Sequence, residues 1–408
     1  MFANDSVLWE LDRFLTRIRN RGESFSDSYS LRHANESMTA NPNDDHLEDL
    51  RDKIDAVDQK LVELINQRAE YVVEVGNRKR GSGTPIYAPH REKAVLDKIQ
   101  NYNQGPILDR TLEGIYRELM SGSFALEQPL RIGYLGPVGT FSHLAATRQF
   151  GSSVEFEDLR AIEGVFQEVA RGHVDYGLVP IENSTGGGII EALDAFLTYH
   201  DQLNIYGEVQ LAIHFCLLAN CKPEAVKQIY SKSEALSQCR NWLSTQYPNA
   251  ERIPAESTAT AAKHAKAAYD KDPTSGAAAI GSSLAGEIYG LHPLFEQIED
   301  RQNNVTRFLI LSRQETEISG NDKTSIMFTA DHRPGSLVDV LSVFKRNGIN
   351  LTHIEKRPSR EVNWDYTFFV DITGHRKDPE VASVIGEAKA HCKQLTVLGS
   401  YPASRGVL

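Results

Sequence analysis

The sequence predicts a multidomain protein: an all-α segment, then an α/β region, then a small α+β module of ferredoxin-like order. Three observations carry this reading. Leu50, Ile54, Val57, Leu61 and Leu64 recur in steps of four and three, the spacing of a helix seam. From Leu130 the pattern changes to short apolar runs alternating with helical stretches, as in α/β folds. Beyond residue 323 the order becomes strand, helix, strand, strand, helix, strand in under 80 residues, a split βαβ arrangement. A chain of 408 residues is also longer than one domain usually runs.

Residues 1–45 are polar and offer too little apolar area to offset chain entropy, so a disordered tail is expected. Within it, Leu8, Leu11, Leu15 and Ile18 could line a short amphipathic helix over 7–19, and Met38 is an alternative translation start. No Gly or Pro interrupts 47–75, which predicts one helix of about 30 residues and ~45 Å. Extended, its seam reaches Arg68, Val72, Val75 and Lys79. Shorter helices are expected over 89–101 and 108–126. The long helix is too long to bury its seam within its own domain (46–129), which implies an intertwined helical dimer. In 130–315, strands are expected at 132–135, 176–180 and 277–281, with helices at 189–197 and 284–289, reading as a parallel-type region. The apolar run 209–218 should cross between two lobes. A polar linker over 316–322 precedes the last module (323–402). There, strands are expected at 324–330, 349–355, 365–372 and 395–400, with helices at 336–347 and 379–392.

Composition removes several function classes. Forty-four basic against 55 acidic residues give a net charge of −11, which argues against a nucleic-acid face. No run of 18 apolar residues occurs, so no membrane span is expected. Cys216, Cys221, Cys239 and Cys392 show no C-x-x-C spacing, so neither a zinc site nor a disulfide framework is expected. No signal-peptide core opens the chain, which makes the cytoplasm the expected location. Gly133-x-x-Gly136-x-x-Gly139 is not the G-x-G-x-x-G fingerprint, and Pro137 sits inside the turn. No dinucleotide, other cofactor or metal is therefore expected.

In the helical segment, Arg68 and Lys79 occupy seam positions, and buried cations call for an anionic partner. Arg51 lies beside the seam, Arg91-Glu92 opens the second helix, and Ser123 and Glu127 share a face of the third. An ordinary solvated charged face is the alternative. The combined pattern Leu50-Arg51-x₂-Ile54-x₂-Val57-Asp58, Arg68, Val75-Gly76-x₂-Lys79 and Arg91-Glu92 resembles the all-helical chorismate mutases. The resemblance implies that Arg51, Arg68 and Lys79 bind substrate, with Arg51 serving the other copy, and that Glu92, Ser123 and Glu127 complete the site. Two positions depart from the family: Ala88 where Asp is frequent, and Glu127 where Gln is frequent. The implied reaction rearranges one dicarboxylate, so it needs a held conformer and charge stabilisation, not a proton donor or nucleophile.

In the α/β region, Pro180-Ile181-Glu182-Asn183-Ser184-Thr185 followed by three glycines suits an anion at a helix start, and Asn304-Val305-Thr306-Arg307-Phe308 enters a strand, with turn and cap chemistry the alternative for each. Together with Gly136-x-x-Gly139-Thr140-Phe141-Ser142 and Glu256-Ser257-Thr258, they resemble prephenate dehydratase. That resemblance implies two lobes of periplasmic-binding-protein-like fold and loss of carbon dioxide and hydroxide from prephenate, giving phenylpyruvate. Thr306 is its essential hydroxyl, and Glu182, Asn183, Ser184, Ser257, Thr258, Arg307 and Phe308 are implied site residues. Hydroxide leaves poorly unless protonated, and Thr306, Glu182 or a water they orient are the donors to consider. Arg307 is either a carboxylate ligand or a structural cation.

The last module resembles phenylalanine-responsive ACT domains. Gly335-Ser336-Leu337 matches the small-residue turn, with Ser336 in place of Ala. Glu355-Lys356-Arg357-Pro358 matches the second motif, with Lys356 in place of Ser. The resemblance implies phenylalanine bound at an interface between copies, by Gly335, Ser336, Leu337, Glu355, Arg357 and Pro358. In order, the whole chain resembles the bifunctional chorismate mutase–prephenate dehydratases of phenylalanine biosynthesis. Chorismate and prephenate are then the implied substrates, phenylalanine the effector, and a homodimer or larger homo-oligomer the assembly. A non-catalytic amino-acid sensor, or a chain retaining one activity, are the alternatives.

Overall fold

The computed structural model describes residues 42–79, 85–358 and 366–408, without the side chains of 42–45 and 79. The helix expected over 7–19, Met38 and most of the expected tail lie outside the described residues, as does the Lys79 side chain. Residues 42–45 are helical. The described chain falls into two units, 42–63 and 64–408.

The first unit is the opening of helix α1 (Pro42–Lys79), whose 38 residues give a rod of about 57 Å. Within the described residues it extends ahead of the seam, from Pro42. Leu50, Ile54, Val57 and Leu61 are between 44% and 57% exposed. Among the described residues nothing covers that stretch of the seam.

In the second unit, α2 (Pro89–Tyr102) and α3 (Asp109–Glu127) follow. Tyr87, just before α2, is buried among Phe124, Phe150 and Tyr176. Its carbonyl accepts hydrogen bonds from the Tyr176 and Tyr206 hydroxyls, both at 3.0 Å. This plug anchors the helices to the α/β region.

That region begins with β1 (Arg131–Leu135), α4 (Phe141–Phe150), β2 (Glu155–Leu159), α5 (Ile162–Arg171) and β3 (Tyr176–Asn183). It continues through β4 (Gly187–Gly188), α6 (Ile190–Tyr199) and β5 (Asn204–Ala212), then crosses into β6 (Cys216–Ala219) as the apolar run predicts. The second lobe holds β7 (Gln228–Ser231), α7 (Ser233–Gln238), α8 (Arg240–Gln246), β8 (Glu251–Pro254), α9 (Thr258–Lys271), β9 (Ala277–Gly281), α10 (Ser283–Tyr289) and β10 (His292–Phe295). Strand β11 (Val305–Ser312) returns to the first sheet. The sheets run β2-β1-β3-β11-β5, with β4 beside β3, and β10-β6-β9-β7-β8. They are mixed, which corrects the parallel-type expectation. The returning β11 enters antiparallel between β3 and β5, and β6 runs antiparallel to both of its neighbours.

The last module is β12 (Asp322–Thr329), α11 (Ser336–Arg346), β13 (Leu351–Pro358), β14 (Tyr366–Thr373), α12 (Pro379–Lys389) and β15 (Gln394–Pro402), in sheet order β13-β14-β12-β15. The ferredoxin-like expectation holds. Its Met327, Phe369, Leu398 and Tyr401 pack into one core with Phe166, Leu309 and Leu311 of the α/β region. The expected polar linker is not free: Thr316 is buried and donates to the Ser400 carbonyl. Residues 403–408 turn back onto the first sheet. Ser404 N–H donates to Glu208 Oε1 at 2.8 Å, and Leu408 exchanges backbone hydrogen bonds with Gln210 and Ala212 of β5. Arg405 pairs with Asp97 of α2 and, at 3.2 Å, with Glu113 of α3. Among the described residues no helix is long and apolar enough to cross a membrane.

Candidate active sites and effector pocket

A cavity of about 240 Å³ lies among the C-terminal part of α1, α2 and α3. Arg68, Arg91, Glu92, Ser123 and Glu127 line it, with apolar walls that include Val72, Val75, Met120 and Phe124. Arg68 donates to Ser123 Oγ at 2.8 Å, and Ser123 donates to the Leu119 carbonyl at 2.7 Å. The Arg68 guanidinium is half-buried with no carboxylate partner among the described residues, so a ligand carboxylate could satisfy it. Gly76 gives Glu127 its seat, since a Cβ there would lie 2.8 Å from Glu127 Cγ. Burial pushes the Glu92 carboxyl up, against the pull of Arg117. Ala88 also lines the cavity and brings no side-chain polar group to it. Arg91 was readable as the neighbour of Glu92 yet was not among the expected ligands. Arg51 is exposed on the first unit.

Between the two lobes opens a cleft of about 440 Å³. Asn183, Ser257, Thr258, Thr306 and Phe308 line it. Asn183 closes β3, and its side-chain oxygen accepts from the N–H groups of Thr185 and Gly186, both at 3.0 Å. That turn aims its amide nitrogen at Asn304 Oδ1 (2.7 Å) and Thr306 Oγ1 (2.8 Å). Asn304 in turn donates to Gln238 at 2.9 Å. Because Thr306 accepts from Asn183, its own proton is available to a ligand. Ser257 caps α9 by accepting from Thr260 N–H at 2.9 Å, so that helix start faces the cleft with its positive end. Arg160 and Lys232 stand exposed on the rim. Lys232 stands 3.5 Å from Glu234, and no sequence motif marks either cation.

Glu182, Ser184 and Arg307 lie outside this lining. Successive strand residues face opposite sides, so Thr306 and Phe308 in the cleft put Arg307 behind it. There Arg307 is 7% exposed and meets Asp371 of β14 at 2.6 Å, Glu208 at 3.4 Å and Glu182 at 3.4 Å. Of the two readings of Arg307, the geometry is that of a structural cation. His353 of β13 lies 2.6 Å from Glu182 and holds its carboxyl below the usual range. Glu182 is thus paired with Arg307 and His353 and does not line the cleft. Ser184 donates to the Asn303 carbonyl at 3.0 Å and accepts from Val305 N–H at 2.9 Å, tying the two motif strands together.

In the last module, Ser336 and Leu337 line a cavity of about 390 Å³ with Arg333, Tyr366 and Phe368. Gly335 caps α11 at φ +87 with open space where a Cβ would stand, a conformation glycine adopts freely. The Ser336 hydroxyl donates to the Asp331 and Arg333 carbonyls and is thereby turned to the loop. Glu355, Arg357 and Pro358 lie on β13, away from this cavity. Arg357 grips Asp194 of α6 with two 2.9 Å hydrogen bonds, and Glu355 packs on Gly188. Among the described residues no group of three or more His, Cys, Asp or Glu could hold a metal.

Comparison with known proteins follows the same three-part division. The chorismate mutase type II family matches residues 50–128, prephenate dehydratase 132–316 and the ACT domain 324–389. The bifunctional chorismate mutase/prephenate dehydratase of Stutzerimonas stutzeri is 44% identical over 365 residues, covering 88% of this chain and 98% of that protein. Its namesake from Pseudomonas aeruginosa matches at the same identity and coverage. A crystal structure of prephenate dehydratase from Arthrobacter aurescens in complex with L-Phe superimposes with a TM-score of 0.61 at 33% identity, over 67% of this chain and 90% of that one. From its helical start to its ACT module, the chain belongs to the bifunctional chorismate mutase/prephenate dehydratase family.

Proposed function

We propose that the helical cavity rearranges chorismate to prephenate, and that the cleft between the lobes converts prephenate to phenylpyruvate in the cytoplasm. The domains are taken as 46–129, 130–315 and 323–402. In the mutase, Arg68, Lys79 and Arg91 pair with the two substrate carboxylates. Glu92, Ser123 and Glu127 contact the polar centre, and Arg51 serves the cavity of a second copy. The exposed seam at Leu50, Ile54, Val57 and Leu61 supports an intertwined dimer. Catalysis here is preorganised charge in a walled cavity.

One observation carries the dehydratase reading: Asn183 donates to Thr306 inside the cleft, which leaves the threonine proton directed to the substrate. As the ring carboxylate departs as carbon dioxide, its electron pair moves through the ring and expels the hydroxyl. Thr306 donates a hydrogen bond to that oxygen as it leaves, and the departing hydroxide becomes water with a proton from solvent. Arg160, Lys232 and the start of α9 are placed to hold the side-chain carboxylate. The cavity at Gly335, Ser336 and Leu337 is proposed to take phenylalanine, supported by the L-Phe complex of the Arthrobacter protein. Chorismate supplied to the full chain should yield prephenate and then phenylpyruvate. Arg68→Ala should block the first step and spare conversion of supplied prephenate. Loss of neither activity in that variant would refute the assignment of the helical cavity.

A further inference from the structure

The mutase cavity is not closed by its own helices alone. Gln149, in the last turn of α4, belongs to the α/β region and is half-buried against α2. Its Nε2 lies 3.0 Å and 3.3 Å from the two carboxylate oxygens of Glu92, and 3.2 Å from the Tyr87 hydroxyl. The Glu92 side chain is 11% exposed and borders the mutase cavity. The Tyr87 hydroxyl also hydrogen-bonds the carboxylate, and the cations around it stand farther off. Arg117 of α3 stands 3.9 Å away, Arg405 approaches from the C-terminal segment, and Arg68 and Arg91 share the cavity. An amide N–H₂ shared between both oxygens fixes the carboxylate plane without neutralising its charge. The opposite end of α4 lies at the dehydratase cleft, where Thr140, Phe141 and Ser142 form part of the lining.

We propose that Gln149 is a positioning residue for the mutase reaction, holding the Glu92 carboxylate in the orientation that meets the substrate. The mutase then borrows a hydrogen-bond donor from the region that carries the dehydratase. This inference rests on Glu92 touching chorismate, and the experiment separates the two claims.

Three full-length variants are assayed for chorismate consumption across pH and for turnover of supplied prephenate. Gln149→Leu should lower mutase kcat/KM by about 10-fold or more, the scale of a lost hydrogen bond to a charged group. Gln149→Glu keeps the shape but donates only when protonated. Its mutase rate relative to wild type should fall as pH rises, a dependence that a packing role would not produce. Dehydratase turnover should stay within about twofold in both. Glu92→Gln should also lose mutase activity. Wild-type kcat/KM and an unchanged pH ratio in both Gln149 variants, with Glu92→Gln impaired, overturn the role of Gln149 alone. An unimpaired Glu92→Gln overturns the role of Glu92 and the inference with it. If Gln149→Leu unfolds, as dehydratase turnover would report, the isosteric Gln149→Glu decides.

Discussion

Replacing Arg307 with Met tests whether the arginine of the Thr306-Arg307-Phe308 motif holds the fold or the substrate. The guanidinium is 7% exposed and serves three carboxylates, Asp371 at 2.6 Å and Glu208 and Glu182 at 3.4 Å. Glu208 keeps Lys323 at 2.8 Å and the Ser404 N–H at 2.8 Å, and Glu182 keeps His353 at 2.6 Å. Asp371 is left with only the Ser325 hydroxyl at 2.5 Å, a buried charge without a cation. Breaking a buried pair from one side costs roughly 3–5 kcal/mol, and the surviving partners place this case near ~3. For a unit of this size that lowers Tm by about 5–10 °C. The double change Arg307→Met with Asp371→Leu removes the orphaned charge and should recover part of the loss. Because Arg307 lies outside the cleft, KM for prephenate in the folded enzyme should stay within about threefold, whereas losing a carboxylate ligand would raise it about 10- to 100-fold. Differential scanning calorimetry and steady-state kinetics at 25 °C give both numbers. A tenfold rise in KM with Tm unmoved would refute the structural reading.

Thr306→Ala should lower phenylpyruvate formation by about 10²–10⁴-fold while prephenate still accumulates from chorismate, and Thr306→Ser should retain part of the rate; equal rates in both variants would exclude the hydroxyl. Glu127 lines the mutase cavity, and an amide there would donate to a developing ether oxyanion at any pH, so Glu127→Gln should keep or raise mutase kcat/KM; a loss of about 10-fold or more would remove Glu127 from that contact. Glu182 has a folded pKa lowered by His353 from an ordinary 4.5, so its contribution is present above that value and is lost as pH falls through the folded one. His353→Phe should accordingly be less stable than wild type at neutral pH, with the gap in melting temperature closing as pH falls below 4.5 through the folded value; a gap independent of pH would mean packing alone. Gly335→Val, strained at φ +87, should give an active dehydratase insensitive to phenylalanine, read by titration alongside gel filtration. No inhibition and no change of assembly in the wild-type enzyme at millimolar phenylalanine would end the effector reading.

Much of the fold was legible because it is written in local periodicity. The four-three seam marks α1, and the βαββαβ order marks the last module. The mixed sheets were not, because strand direction follows from which strand β11 enters beside, and its partners β3 and β5 lie more than about 90 residues earlier. For the sites, chemistry-bearing motifs pointed to the right loops but not to which side chain faces inward. Thr306 and Phe308 reach the cleft and Arg307 between them cannot, a consequence of strand alternation that the motif does not spell out. The partner that settles its role, Asp371, sits in another module, 64 residues on. Arg160 and Lys232 are single cations in loops, and Gln149 is a single amide on a helix. Only three-dimensional proximity distinguishes them from solvated surface.

The return of residues 403–408 has a consequence for how the chain is assembled during synthesis. Strand β5 is the edge of the first sheet, and its outer backbone groups at Gln210 and Ala212 are paired by Leu408. Those residues follow every strand of all three sheets, so they leave the ribosome after the rest of the catalytic region has been made. Until then β5 presents an open edge, the kind of template on which nascent chains pair with one another. The same late arrival brings Arg405 to α2 and α3. Beside the Tyr87 plug, the mutase and dehydratase regions therefore acquire this further fastening only after the ACT module has been translated. An order of assembly that finishes with the regulatory end favours chains in which control is already attached when the last fastening between the two catalytic regions closes.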